Sequence, residues 1–160
     1  MYLARTPEKR RAIVKVLTLK REPWKSLFLH EIDAYHEIEK TGYERNCPKL
    51  LGFDKKLFLS AWERVPGRVL GRGRFFFEKI RPRQTEQILG AIHWISKVRP
   101  QGAAGKGMEY SHGDLICGNI LVSPNQVSLV DWEHAGMRPL RFGLDATLRL
   151  AERNRHARGR

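Results

Sequence analysis

The 160 residues suit a single domain and disfavour two, since domains usually run to about 100–200 residues. Hydrophobic residues at 41% exclude disorder for most of the chain, and 30 Lys plus Arg against 17 Asp plus Glu give a net charge of +13. That balance points to anionic partners such as phosphate esters, nucleic acid or acidic lipid surfaces, without choosing among them.

Residues 12–17, AIVKVL, form a short β-branched run behind a charged, turn-like stretch at Thr6 to Arg11, and read as the second strand of a hairpin. From Trp24 to about Lys40 the period becomes helical. At 100° per residue Trp24, Leu27, Phe28, Tyr35 and Ile38 share one stripe, with Gly42 as the stop signal. KLLGF at 49–53 and LFLSAW at 57–62 suggest two further antiparallel strands, after which ERVPGRVLGRGR breaks the pattern. Ile88, Leu89, Ile92, Ile95 and Val98 repeat at helical spacing, and Arg99 to Gly107 follows as a loop. ILV at 120–122 and VSLV at 127–130, joined by Ser123-Pro124-Asn125-Gln126, predict a small hairpin. Gly143 to Arg153 can form a final helix before an arginine-rich tail.

No window approaches the roughly 18 apolar residues of a membrane span, and the N-terminus lacks an apolar signal core. A cytoplasmic location with no membrane span is the default expectation. Cys47 and Cys117 stand alone, without CxxC or Cys/His spacing, so neither a disulfide framework nor a zinc site is indicated.

Two charges sit where apolar residues are expected. Glu31 lies near the middle of the helical stripe and Lys15 lies inside the apolar strand, so an ion pair between them would answer both burial costs. The bland alternative is a lysine snorkelling at a sheet edge and a glutamate at the stripe boundary. A second constellation is HGDLICGN at 112–119, followed by the hairpin and then by LVDWE, with Asp131 where the second strand ends. A loop carboxylate, an amide five residues on and a second carboxylate after a hairpin suit phosphoryl transfer from a magnesium nucleotide. Asp114 can accept the proton of an attacking hydroxyl, while Asn119 and Asp131 offer hard oxygen ligands to Mg²⁺. The alternative is a hydrogen-bonded structural loop around His112.

HGDLICGNILV…VSLVDWEHAG resembles the aminoglycoside phosphotransferase and choline kinase group of protein-kinase-like enzymes, with DWE in place of the DFG of protein kinases. By motif order the resemblance covers roughly residues 11–150. It implies an α+β, protein-kinase-like fold: a reduced antiparallel N-terminal sheet (about 1–62), a hinge (about 63–67), a small helical C-terminal lobe with the catalytic hairpin (about 68–152), and a basic tail (153–160). It further implies Asp114 as catalytic base, Asn119 and Asp131 as magnesium ligands, and Lys15 with Glu31 on the α- and β-phosphates of ATP. The Glu63 carbonyl and Val65 amide would meet adenine, and His112 would support the loop. Asp145 would brace that loop, or else face solvent or cap its helix.

Only fourteen residues precede Lys15 and none is Gly, so the first strand and the glycine-rich turn over the phosphates are expected to be missing or replaced. Gly67, Gly71 and Gly73 lack the GxGxxG order, and Gly102 to Lys106 is no phosphate loop; a flexible linker and a surface loop are the expectations. The function implied is ATP-dependent transfer of the γ-phosphate to a hydroxyl of a small molecule, sugar or lipid headgroup. Two other readings are an atypical kinase beside RNA, similar to the compact kinase of the tRNA threonylcarbamoyl-modification complex, and a truncated pseudokinase serving as a basic binding module. Nucleic-acid binding is not favoured, because base-reading and RNA-stacking motifs are absent.

Overall fold

The computed structural model describes residues 1–42, 46–70, 82–100, 106–140 and 142. Its first layer is an antiparallel sheet of β1 (Tyr2–Arg5), β2 (Arg11–Val16), β3 (Leu50–Asp54) and β4 (Leu59–Glu63), in the order β1-β2-β4-β3. The register is fixed along β2 by pairs running from Ala12 opposite Glu63 to Val16 opposite Leu59, which places Lys15 across from Ser60. One strand therefore does precede β2. The turn between them contains no glycine: the Thr6 amide donates to the Arg10 carbonyl, and Lys9 takes the left-handed conformation with φ 63°. At the other end, Asp54 Oδ1 accepts from the Lys56 and Leu57 amides at 2.8 and 2.9 Å, which closes the β3–β4 turn and leaves Leu57 and Phe58 outside β4.

Helix α1 (Trp24–Glu39) lies over this sheet. Its buried side is Phe28, Glu31, Ile32, Ala34, Tyr35 and Ile38, and it leans on the sheet through aromatic rings: Phe28 on Phe58 at 5.7 Å and Tyr35 on Trp62 at 5.3 Å, both edge to face. Trp24 departs from the expected stripe. It is exposed and Leu27 is only half-buried; full burial starts at Phe28. The helix closes where Gly42, at φ 69°, donates to the Glu39 carbonyl.

The second half holds α2 (Pro82–Ile95), a three-stranded sheet of β5 (Arg68–Val69), β7 (Ile120–Val122) and β8 (Val127–Leu129) in the order β5-β7-β8, and a two-stranded ribbon of β6 (Met108–Ser111) with β9 (Gly136–Pro139). Ile88, Ala91 and Ile95 are the buried side of α2, while Leu89 is exposed; Val98 is buried just beyond the helix end. Strands β5, β6 and β9 were not anticipated. β5 has two residues, β6 reads MEYS without β-branched residues, and β9 reads GMRP, a composition that propensity assigns to a turn. Arg68 and Val69 are accordingly strand rather than linker. One continuous core runs from Phe28, Ile32 and Trp62 to Ile95, Val127, Leu129 and Trp132. The expected final helix from Gly143, with Asp145, the arginine-rich tail, Gly71, Gly73 and residues 101–105, lies outside the described residues.

Candidate active site

The charged residues of the two halves meet at Lys15. Its Nζ lies 2.5 Å from Glu31 Oε1 and 2.9 Å from Asp131 Oδ1, which joins β2, α1 and the segment after β8 at one ammonium. Glu31 is nearly closed off, with a side-chain exposure of 6% against 23% for Lys15 and 40% for Asp131. Burial pulls Lys15 toward the neutral form, but the Glu31 and Asp131 carboxylates outweigh it and hold the ammonium above its usual pKa. Glu31 is pushed up as well. For that carboxylate the burial cost exceeds what the single ammonium returns, and Asp131 and Glu133 add repulsion. The two directions agree once it is seen that Lys15 serves two anions and Glu31 shares one cation.

The HGD loop and the hairpin are tied together by Asn119. A 3-10 turn at Cys117–Asn119 turns the chain so that Asn119 Nδ2 donates to the Asp114 carbonyl at 2.9 Å and to Asp114 Oδ2 at 3.0 Å. Its backbone carbonyl accepts from the Val130 amide at 3.0 Å, next to Asp131. With the amide nitrogen committed to Asp114, the side-chain group of Asn119 left to bind a cation is its carbonyl oxygen. Asp114 and Asp131 share one electrostatic environment, since both act on buried His112 and on half-buried Glu133.

Asp131 has φ 71°, a conformation that costs a non-glycine residue about 1–3 kcal/mol and persists only where its surroundings over-determine it. Those surroundings are on both sides. His112 Nε2 donates to the Val130 carbonyl at 3.0 Å, and Trp132, 1% exposed, donates to the Leu129 carbonyl and packs against the His112 ring at 4.4 Å. Burial pushes His112 below its usual pKa, over the opposing pull of the Val130 carbonyl and the two aspartates, so the ring is held neutral. Gly113 is equally constrained: at φ 79°, a Cβ would sit 1.8 Å from the His134 carbonyl oxygen.

The remaining residues stand apart. Glu63 and Val65, with Cys47, Lys49, Arg64, Pro66 and Gln126, line a cavity of about 340 Å³, and none of Lys15, Glu31, Asp114, Asn119 or Asp131 borders it. The Glu63 amide donates to Lys49 and the Arg64 amide to Arg11, while Gly67, at φ 130°, lets the chain pass within contact of the Val122 carbonyl. Sequence reasoning overlooked Gly113, Glu133 and His30. Gly113 was visible inside HGD, and Glu133 within DWE; His30, next to Glu31, hydrogen-bonds the Ala135 carbonyl 105 residues away and carried no signal.

Neither a protein-family profile nor a curated protein sequence matches the chain. Solved structures do. Over 95% of its length the chain is similar to an aminoglycoside phosphotransferase from Alicyclobacillus acidocaldarius, with a TM-score of 0.67 and 12% identity. A choline kinase from Streptococcus pneumoniae matches 98% of the chain with a TM-score of 0.58 and 18% identity. An amicoumacin kinase in complex with AMP-PNP and Ca²⁺ matches 91%, with a TM-score of 0.57 and 14% identity. The chain spans 65%, 69% and 59% of those three structures, so under two thirds of the first and third. The fold is therefore the kinase-like α+β fold shared by the aminoglycoside phosphotransferase and choline kinase group. These neighbours are phosphotransferases of small molecules.

Proposed function

We propose that the chain is the catalytic unit of an ATP-dependent phosphotransferase that moves the γ-phosphate to a hydroxyl of a small molecule. The observation that carries this reading is the Lys15 ammonium held between Glu31 and Asp131, beside the Asp114–Asn119 pair. A mostly buried lysine held by a buried glutamate and by an aspartate in the left-handed conformation, from three elements at once, is the anchoring a phosphate-binding cation needs. In this reading residues 1–160 form one kinase-like domain with its hinge near 63–67.

Magnesium fits the donor set. Among the described residues no three His, Cys, Asp or Glu side chains cluster as a metal cage, but Mg²⁺ keeps several waters and takes only one or two protein carboxylates, completing its shell with phosphate oxygens. Asn119 and Asp131 would hold it, and bound there it would neutralise charge on the phosphates. Lys15 would then bind phosphate oxygens without leaving Glu31. Asp114, oriented by Asn119 Nδ2, would accept the acceptor hydroxyl's proton. Asp145 would support the loop. Glu63 and Val65 would offer backbone groups to adenine.

The net charge of +13 repels cationic aminoglycosides and favours a neutral or anionic acceptor, such as a sugar, a lipid headgroup or a phosphorylated metabolite. The location proposed is the cytoplasm, where ATP is abundant; no described helix is long and apolar enough to cross a membrane. A phosphate-transfer screen with ATP, Mg²⁺ and hydroxyl acceptors tests the reading. Asp114→Ala should lower turnover about 100-fold or more, while Mg·AMP-PNP affinity stays within about threefold of the parent. Equal turnover by that variant would remove the assigned base.

A further inference from the structure

The phosphotransferase reading leaves His30 without a task. Its ring reaches from α1 to the chain beyond Asp131, where Nε2 donates to the Ala135 carbonyl. A carbonyl can only accept, so the proton sits on Nε2. Two adjacent residues of α1 thus grip one stretch of chain: Glu31 through Lys15 to Asp131, and His30 directly to Ala135. The stretch between these grips is stiff. The Ala135 amide donates to the Trp132 carbonyl at 2.9 Å, and both residues are buried.

The other contacts of α1 are apolar: Ile32, Ala34 and Ile38 are buried in the core, and His36 meets Phe53 at 6.1 Å beside the two aromatic pairs already described. Apolar burial is non-directional and by itself tolerates small sliding along the helix axis. A hydrogen bond to a carbonyl is directional and does not. The tolerance is small, because one residue of helix rise is about 1.5 Å and would carry Glu31 out of its ion pair.

We propose that His30 is a positioning residue that sets the axial register of α1 against the Asp131 segment and so keeps Lys15 between its two carboxylates. Its consequence for nucleotide binding rests on the phosphotransferase reading; its effect on Lys15 does not. The test is NMR of the ¹⁵N-labelled lysine ammonium groups in the parent, His30→Ala and His30→Gln proteins, with Lys15→Met to assign the signal, followed by titration with Mg·AMP-PNP.

His30→Ala should speed Lys15 ammonium proton exchange about tenfold and weaken Mg·AMP-PNP about tenfold, the size expected for one lost hydrogen bond. His30→Gln, whose amide N–H can serve the same carbonyl, should restore both to within about twofold. An unchanged Lys15 signal in folded His30→Ala overturns the proposal, as does a glutamine variant that behaves like the alanine one. Global unfolding of His30→Ala would also overturn it, since an exposed ring set against one carbonyl would then be holding the whole fold. If Lys15 responds as described but no variant, nor the parent, binds Mg·AMP-PNP, the positioning role stands and the phosphotransferase reading falls.

Discussion

Lys15, Asp131 and His112 form a chain of dependence at the scale of single residues. Asp131 tolerates its left-handed backbone because Lys15 holds its carboxylate and His112 holds the preceding carbonyl. That dependence has a pH signature. His112 is kept neutral below its usual value of 6.5, so on acidification the unfolded chain takes up the proton first. Its contribution to stability is complete above about pH 6.5 and is lost as the pH falls from there through the depressed folded value. Glu31 has the opposite sign: its raised carboxyl pKa contributes below the ordinary 4.5 and loses that contribution as the pH rises. Comparing His112→Gln with the parent isolates the histidine. Urea unfolding at about pH 5 and about pH 7.5 should show a smaller acid loss of stability in the variant. An equal or larger acid loss would mean that His112 is not the group being protonated.

At the scale of elements, α1 holds Glu31 and His30 in place through a buried side of Phe28, Ile32, Ala34, Tyr35 and Ile38. Ile32, beside Glu31 and 1% exposed, should cost about 2–5 kcal/mol when replaced by Ala, measured as a fall in the denaturation midpoint at constant slope. A loss under about 1 kcal/mol would contradict the packing described for this helix. The same element shows what is readable in a sequence. The period of Phe28, Tyr35 and Ile38 marked the buried side of α1, and Glu31 and Lys15 were conspicuous as charges in apolar settings, so their pairing could be anticipated from burial cost alone. Trp24 was misread because periodicity gives the direction of a side chain but not where the sheet beneath it stops. β6 and β9 were invisible for another reason: MEYS and GMRP are strands only because each pairs with the other across the His112–Ala135 segment, a constraint that no local window contains. His30 and Ala135, 105 residues apart, belong to the same class.

For the whole molecule, the fold is secure from its structural neighbours, whereas the chemistry depends on whether the two halves enclose a nucleotide. HGD, Asn119 and Asp131 were legible as a pattern because their spacing is local to one hairpin. The cavity beside Glu63 and Val65 was not, because its walls come from the segment before β3, the end of β4 with the residues after it, and the β7–β8 turn. A ligand that binds only the folded chain stabilises it by about 2.7 kcal/mol at a hundredfold excess over its dissociation constant, so Mg²⁺ with ATP should raise Tm by several degrees and ATP with a chelator by much less. Equal shifts with and without the metal would speak against Asn119 and Asp131 as its holders. The most direct measurement is calorimetric titration of the parent and Asp131→Asn with AMP-PNP, with and without Mg²⁺. The parent should bind in a Mg²⁺-dependent manner, and the variant about tenfold or more weakly. No binding by the parent, or equally tight binding of Mg·AMP-PNP by Asp131→Asn, would contradict a magnesium nucleotide held at Asp131.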